Sequence, residues 1–164
     1  MGLRQGRLED LDYIVAIKNK AIEFYKDSGI NWTEDYPNKE VFKKDIEKSE
    51  LFILGKEDII GIVVLNDEED INYKKVKWEK RERNLVIHRL FINPEYARKG
   101  MGKKLLEEVE FYARSNNIMS IKLDTNTGNK GAQSLYRSMG YKLIDEICLE
   151  GKEGKFYAIQ KILE

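Results

Sequence analysis

One cysteine, one histidine and two prolines are present in 164 residues. Cys148 has no second thiol with which to form an internal disulfide. With His88 it falls short of the four Cys or His ligands that a structural zinc site ordinarily takes. No apolar stretch approaches the roughly 20 residues needed to cross a bilayer, and Met1-Gly2-Leu3-Arg4-Gln5 carries no secretory apolar core. Gly6 occupies the place where myristoylation at Gly2 asks for Ser or Thr. Lys plus Arg and Asp plus Glu both total 29, for a formal net charge of zero, so the chain has no general electrostatic hold on nucleic acid or an anionic membrane. The expectation is a cytoplasmic protein without metal, nucleic-acid or membrane partners.

Hydrophobic residues make up 41% and charged residues 35% of the chain, the balance of a folded domain and not of a disordered segment. The length suits one domain, residues 1–164, with a substantial core. From Leu11 to Tyr25 apolar residues recur at helical spacing, with Asp10 placed as a cap. Gly29 and the Trp32–Pro37 stretch interrupt this helix. A short second helix follows over Lys39–Lys48, with Val41, Phe42 and Ile46 inward. Leu51–Leu54 and Ile59–Leu65 read as an antiparallel pair around the turn Gly55-Lys56-Glu57-Asp58. Residues 66–83 read as a solvated charged loop, with Tyr73 and Trp78 folding part of it back onto the body.

The second half alternates more regularly. Leu85–Ile92 is expected as a buried strand and Gly102–Ser115 as a helix burying Leu105, Leu106, Val109, Tyr112 and Ala113. Ser120–Asp124 follows as a strand and Ala132–Met139 as a helix. Tyr141–Leu149 and Lys155–Ile162 form a terminal hairpin around Gly151 and Gly154, with Cys148 buried in it. Strand, helix, strand in this order places one parallel pair in an otherwise antiparallel sheet. The fold class is mixed α/β.

The chemistry concentrates in Leu90-Phe91-Ile92-Asn93-Pro94-Glu95-Tyr96-Ala97-Arg98-Lys99-Gly100-Met101-Gly102-Lys103-Lys104. A buried strand ends at Asn93-Pro94, and a basic loop with two glycines opens directly into a helix. First-turn N–H groups have no internal partner and carry partial positive charge. Glycines admit a bulky anion close to the backbone, and Arg98, Lys99 and Lys103 add formal charge, so the segment suits a diphosphate. A tight turn rimmed by exposed lysines accounts for the same residues. The pattern is neither the dinucleotide fingerprint, because Leu105 stands at the third glycine, nor a P-loop, because Lys104 follows Lys103.

This segment resembles the acetyl-CoA signature of the GCN5-related N-acetyltransferase (GNAT) family, Q/R-x-x-G-x-G/A running into a long helix. Ala97 stands in place of the usual Gln or Arg, with Arg98 beside it. Asn129-Lys130-Gly131-Ala132-Gln133-Ser134-Leu135-Tyr136-Arg137-Ser138-Met139-Gly140-Tyr141 is similar to the family's N-x-x-A-x-x-x-Y-x-x-x-G-F/Y element. The resemblance covers residues 85–163 well. It implies a mixed sheet, mostly antiparallel, whose central parallel strands splay apart and are flanked by helices. It also implies an acetyl-CoA-dependent N-acetyltransferase acting directly on a primary amine of a small molecule or peptide. The alternative is a catalytically silent acetyl-CoA-sensing module.

The same resemblance assigns the backbone N–H of Phe91 or Ile92 to the thioester oxygen. It assigns Arg98, Lys99, Gly100, Met101, Gly102 and Lys103 to the diphosphate, Asn129 to the pantetheine or diphosphate region, and Tyr136 to protonation of the leaving thiolate. By periodicity alone Tyr136 is a packing aromatic and Asn129 a helix cap. His88 is a candidate general base by its ordinary pKa near neutrality, with a packed histidine as the equal alternative and Glu95 or water as other bases. Asn31-Trp32-Thr33-Glu34-Asp35-Tyr36-Pro37, with Tyr73 and Trp78, is a candidate lining for the acceptor. A homodimer is left open.

Overall fold

Leu51-Phe52-Ile53-Leu54 is apolar at every position, a pattern a strand buries only when both faces of its sheet are covered. The computed structural model describes residues 2–30 and 32–164. Met1 and Asn31, read above in the N-terminus and the aromatic loop, lie outside the described residues. The elements in chain order are β1 (Leu3–Gln5), α1 (Leu11–Phe24), α2 (Lys39–Glu47), β2 (Leu51–Leu54), β3 (Gly61–Asn66), β4 (Asn84–Ile92), α3 (Met101–Ser115), β5 (Ser120–Asn126), α4 (Lys130–Ser138), β6 (Lys142–Ile147) and β7 (Phe156–Ile162). The strands form one sheet in the order β1-β2-β3-β4-β5-β7-β6. All neighbours are antiparallel except β4 and β5.

Alternation along the central strands divides the core in two. Phe52, Leu54, Val63 and Leu65 face α3 and join Leu105, Leu106, Val109 and Ala113. Leu51, Ile53, Ile62 and Val64 face α1 and α2 and join Ile14, Ile17, Ala21, Phe42 and Ile46. Each such Leu, Ile or Val is worth about 1.5–3 kcal/mol when fully buried, so the two layers of helix clamp the sheet from both sides. No described helix is long and apolar enough to cross a membrane.

Several expectations need correction. β1 was not foreseen, being only three residues long and paired to β2. Asp10 does not cap α1: its carboxylate accepts from the Arg7 N–H at 2.8 Å and from the Arg4 guanidinium at 2.9 and 3.0 Å. Cys148 is exposed, not buried, because the chain leaves β6 at Ile147. The charged stretch contains a 3-10 helix at Ile71–Lys75. It is tied to the sheet as Tyr73 and Trp78 suggested, with Tyr73 only 1% exposed.

Candidate functional site

β4 and β5 pair in parallel only from Asn84 to Val86 against Ser120 to Lys122. Beyond that point they separate, and the pairing on either side explains why. β5 stays bonded to β7 along its whole length, Ser120 to Asn126. β4 follows β3, where Ile62 pairs with Phe91 but Val64 pairs with His88. That register leaves one extra residue on β4, a bulge, and bulges bend the strand that carries them. Arg89, in the bulge, has φ +45°, a region costly for a side chain with a Cβ.

The strain at Arg89 is held by a buried fork. Its Nε and one terminal nitrogen each donate to Asp45 on α2 at 2.7 Å, and its other terminal nitrogen donates to the Tyr36 hydroxyl at 3.3 Å. Burial opposes the charge on both partners; the bidentate pairing outweighs it at Arg89 and only partly offsets it at Asp45, whose carboxyl stays above its ordinary value.

The gap is a cleft of about 1140 Å³. Its floor and walls come from Ile87–Leu90 of β4, Leu123–Asn126 of β5, and Asn129, Ala132, Leu135 and Tyr136 at α4. Gly29, Ile30, Trp32, Thr33 and Tyr36 also line it, as do Glu150–Gly154. Gly29, at φ +75°, lies so close to the β5–α4 loop that a Cβ there would sit 2.5 Å from the Gly128 carbonyl carbon. Only glycine allows that approach.

Antiparallel pairing sorts the two backbone donors considered for the thioester. Asn93 N–H donates to the Ile60 carbonyl at 2.8 Å. Alternation then turns the Phe91 N–H toward β3 as well, and the Ile92 N–H toward the splayed side. The Ile92 carbonyl shares that side, since it accepts from the Tyr25 hydroxyl at 3.4 Å. The Phe91 ring is buried on the α1–α2 face, edge-on to Trp32 at 5.1 Å.

At the mouth of α3, Gly100 is the N-cap in the left-handed region, φ +75°. The first helical bond is Lys104 N–H to the Gly100 carbonyl, 3.1 Å, which leaves the N–H groups of Met101, Gly102 and Lys103 outside the helix ladder. Arg98, Lys99 and Lys103 surround them, all exposed. Arg98 lies over the Phe24 ring at 5.9 Å and Lys99 over Tyr96 at 5.8 Å. Gly102 serves close packing: a Cβ there would meet Leu135 Cδ2 at 2.9 Å. α3 therefore rests directly on α4, the helix that walls the cleft, which brings the two sequence motifs side by side. Free amides, an αL glycine and three cations fit a diphosphate.

Tyr136 is 6% exposed. Burial first, then the charge of Asp124, push its phenol above the usual value, so it stays protonated. Asp124 also faces the cleft, and it was not singled out from the sequence. The Tyr73 hydroxyl donates to its Oδ2 at 2.6 Å. Burial raises the Asp124 carboxyl, opposed by the Tyr73 bond and the Lys152 charge. Its only sequence signal is a carboxylate on β5, on the same face as Ser120 and Lys122 and opposite Ile121 and Leu123.

His88 lines the cleft, but its Nε2 lies 2.7 Å from Asn66 Oδ1. That oxygen also accepts the Glu68 N–H, so Nε2 carries the proton and donates. Burial first, then Arg89, push His88 down to about 4, which leaves it neutral and a weak base. Asn129 caps α4, its Oδ1 accepting from Ala132 N–H at 3.1 Å, and also lines the cleft. Glu95 is exposed on the turn after β4 and is not among the cleft residues. Trp32, Thr33 and Tyr36 do line the cleft, while Trp78 borders a separate groove beside Lys122.

Comparison with known proteins follows the same lines. The family model described as acetyltransferase (GNAT) family matches residues 14–141. The N-acetyltransferase YhfO of Bacillus subtilis, itself uncharacterized, is 30% identical over 87% of this chain and 90% of its own. An acetyltransferase of the GNAT family from Streptococcus agalactiae superposes with a TM-score of 0.85 at 20% identity, over 99% of this chain and 95% of that one. YncA of Salmonella typhimurium, whose structure contains its cofactor acetyl-CoA, superposes with a TM-score of 0.71 at 16% identity, over 100% of this chain and 94% of that one. The last two likenesses are of fold.

Proposed function

Because the chain belongs to the acetyltransferase (GNAT) family and is an N-acetyltransferase, we propose that its acceptor is a primary amine, of a small molecule or a peptide, bound as a cation between Trp32, Thr33 and Tyr36 on one side and Glu150–Gly154 on the other. Asp124 carries this reading: it is a part-buried carboxylate facing the cleft, near the buried phenol of Tyr136. Acetyl-CoA, the donor this family uses, supplies an activated acetyl thioester when bound.

The residues then divide the work. Main-chain N–H groups of Met101, Gly102 and Lys103, with Arg98, Lys99 and Gly100, would hold the diphosphate of the donor, and Asn129 would meet its pantetheine or diphosphate region. The Ile92 N–H, on the splayed side, would be the main-chain donor for the thioester oxygen and would stabilise the charge that develops there, as a fixed donor does. Asp124 draws the acceptor ammonium in and takes its proton. Its raised pKa suits it to that exchange better than a carboxylate in water. Tyr136 gives a proton to the departing sulfur. His88, neutral and bonded to Asn66, shapes the wall and remains a second, weaker base.

The test is thiol release from acetyl-CoA against a panel of primary amines, run in parallel with thermal shift by coenzyme A. The expected result is turnover with at least one amine and a fall of about 10²-fold or more in Asp124→Asn. Turnover unaffected by Asp124→Asn removes that residue from the acceptor site. No stabilisation by coenzyme A removes the cofactor cradle.

A further inference from the structure

We propose that Lys152 is an intramolecular acetyl acceptor, so that the enzyme acetylates its own acceptor loop. The inference rests on the proposed site above and adds a modification site to it. Three observations carry it. First, Lys152 is the one lysine among the described residues that line the cleft. A lysine ammonium on its four-carbon stem is chemically a primary aliphatic amine, the class of group this enzyme acetylates.

Second, the Lys152 ammonium is poised and lightly held. It sits over the Tyr36 ring, 5.3 Å from the centroid, and no carboxylate among the described residues pairs with it. An exposed cation–π contact is of the order of thermal energy. The loop that carries it is bracketed by Gly151 at φ +71° and Gly154 at φ +87°, and space around Gly151 is open. Its backbone is pinned while the side chain is not: the Lys152 N–H donates to the Leu149 carbonyl at 3.2 Å, and the Glu150 N–H donates to Asp70 at 3.1 Å.

Third, Lys152 lines the same cleft as Leu90 of β4, Asp124 of β5 and Tyr136, and its charge is felt by His88 and Asp124.

The reaction balances without any added reagent. Asp124 takes one proton from the ammonium and passes it to solvent. The freed nitrogen forms a bond to the acetyl carbon as the carbon–sulfur bond breaks. One proton stays on the amide nitrogen, and the third reaches the thiolate by way of Tyr136. Nε-acetyl-lysine and free coenzyme A result. The product has lost the positive charge that favoured ionised Asp124 and that lay over the Tyr36 ring.

The experiment is incubation of the purified protein with acetyl-CoA alone, read by intact mass and peptide mapping, with cofactor thermal shift measured on the same sample. The expected result is one added acetyl group at Lys152, roughly tenfold or more faster than at other lysines, as tethering in the cleft implies. Its rate is independent of protein concentration. Lys152→Arg, which keeps the charge at an exposed position, abolishes the label, and protein unfolded in urea loses the preference. A label spread evenly over surface lysines, equal labelling in urea, or a rate proportional to protein concentration overturns the proposal. Thermal stabilisation by coenzyme A with no label at Lys152 overturns it while leaving the acetyltransferase site intact. Absence of stabilisation counts against the site itself.

Discussion

The hydroxyl of Tyr73, from the segment between β3 and β4, donates to the carboxylate of Asp124 on β5 at 2.6 Å. A hydrogen bond to a charged group contributes about 1.5–3 kcal/mol, and here it favours the ionised form that burial disfavours. Tyr73→Phe is expected to raise the Asp124 pKa and move the acidic limb of the kcat/KM profile to higher pH. An unchanged limb alongside an intact fold means that Asp124 does not titrate in the rate.

Tyr136→Phe removes one oxygen from a buried ring and leaves its packing on Tyr141, 5.6 Å between centroids. Turnover should fall by about 10²-fold with the coenzyme A dissociation constant unchanged. Single-turnover rates equal to those of the parent enzyme exclude the acid role.

Asp45→Asn leaves the Arg89 guanidinium buried without its counter-charge. Breaking one side of such a pair costs about 3–5 kcal/mol, and here it also loosens the bulge at φ +45°. The expected outcome is a lower denaturation midpoint together with a fall in kcat that exceeds any change in KM for the amine. Loss of stability with kcat preserved shows that the pair holds the fold and not the bulge geometry.

His88 makes the enzyme acid-sensitive. Its pKa is about 4 in the folded protein against an ordinary 6.5, so between those values the unfolded chain binds the extra proton. The stability it contributes, on the order of 3 kcal/mol, is present above pH 6.5 and is lost as pH falls toward 4. His88→Gln should flatten the pH dependence of urea denaturation in that window. Identical slopes for both proteins rule out this source.

Gly102→Val drives a branched side chain into Leu135, where even a Cβ meets Cδ2 at 2.9 Å. α3 must then shift from α4, and the coenzyme A dissociation constant is expected to rise at least tenfold. Gly100→Ala meets no atom but holds φ +75° against a Cβ. It should cost about 1 kcal/mol of stability with a smaller effect on binding. Equal binding by both variants and the parent contradicts the cradle.

The order of helices and strands from α1 onward, the antiparallel pairing of Leu51–Leu54 with the strand ending at Leu65, and the paired motifs at Gly100–Gly102 and Asn129–Tyr136 were legible in the residues. Each depends on spacing within a few positions: a 3.6 or 2.0 residue period, or a turn that needs glycine. Folding was needed for everything that joins distant positions. Asp124 acquires Tyr73 from 51 residues away, Arg89 acquires Asp45 from 44 away, and Lys152 comes to rest on Tyr36. No local period encodes such meetings. They arise because a bulge in β4 parts it from β5 and loop residues from both halves of the chain line the gap, so the chemistry of the cleft is a property of how the sheet divides.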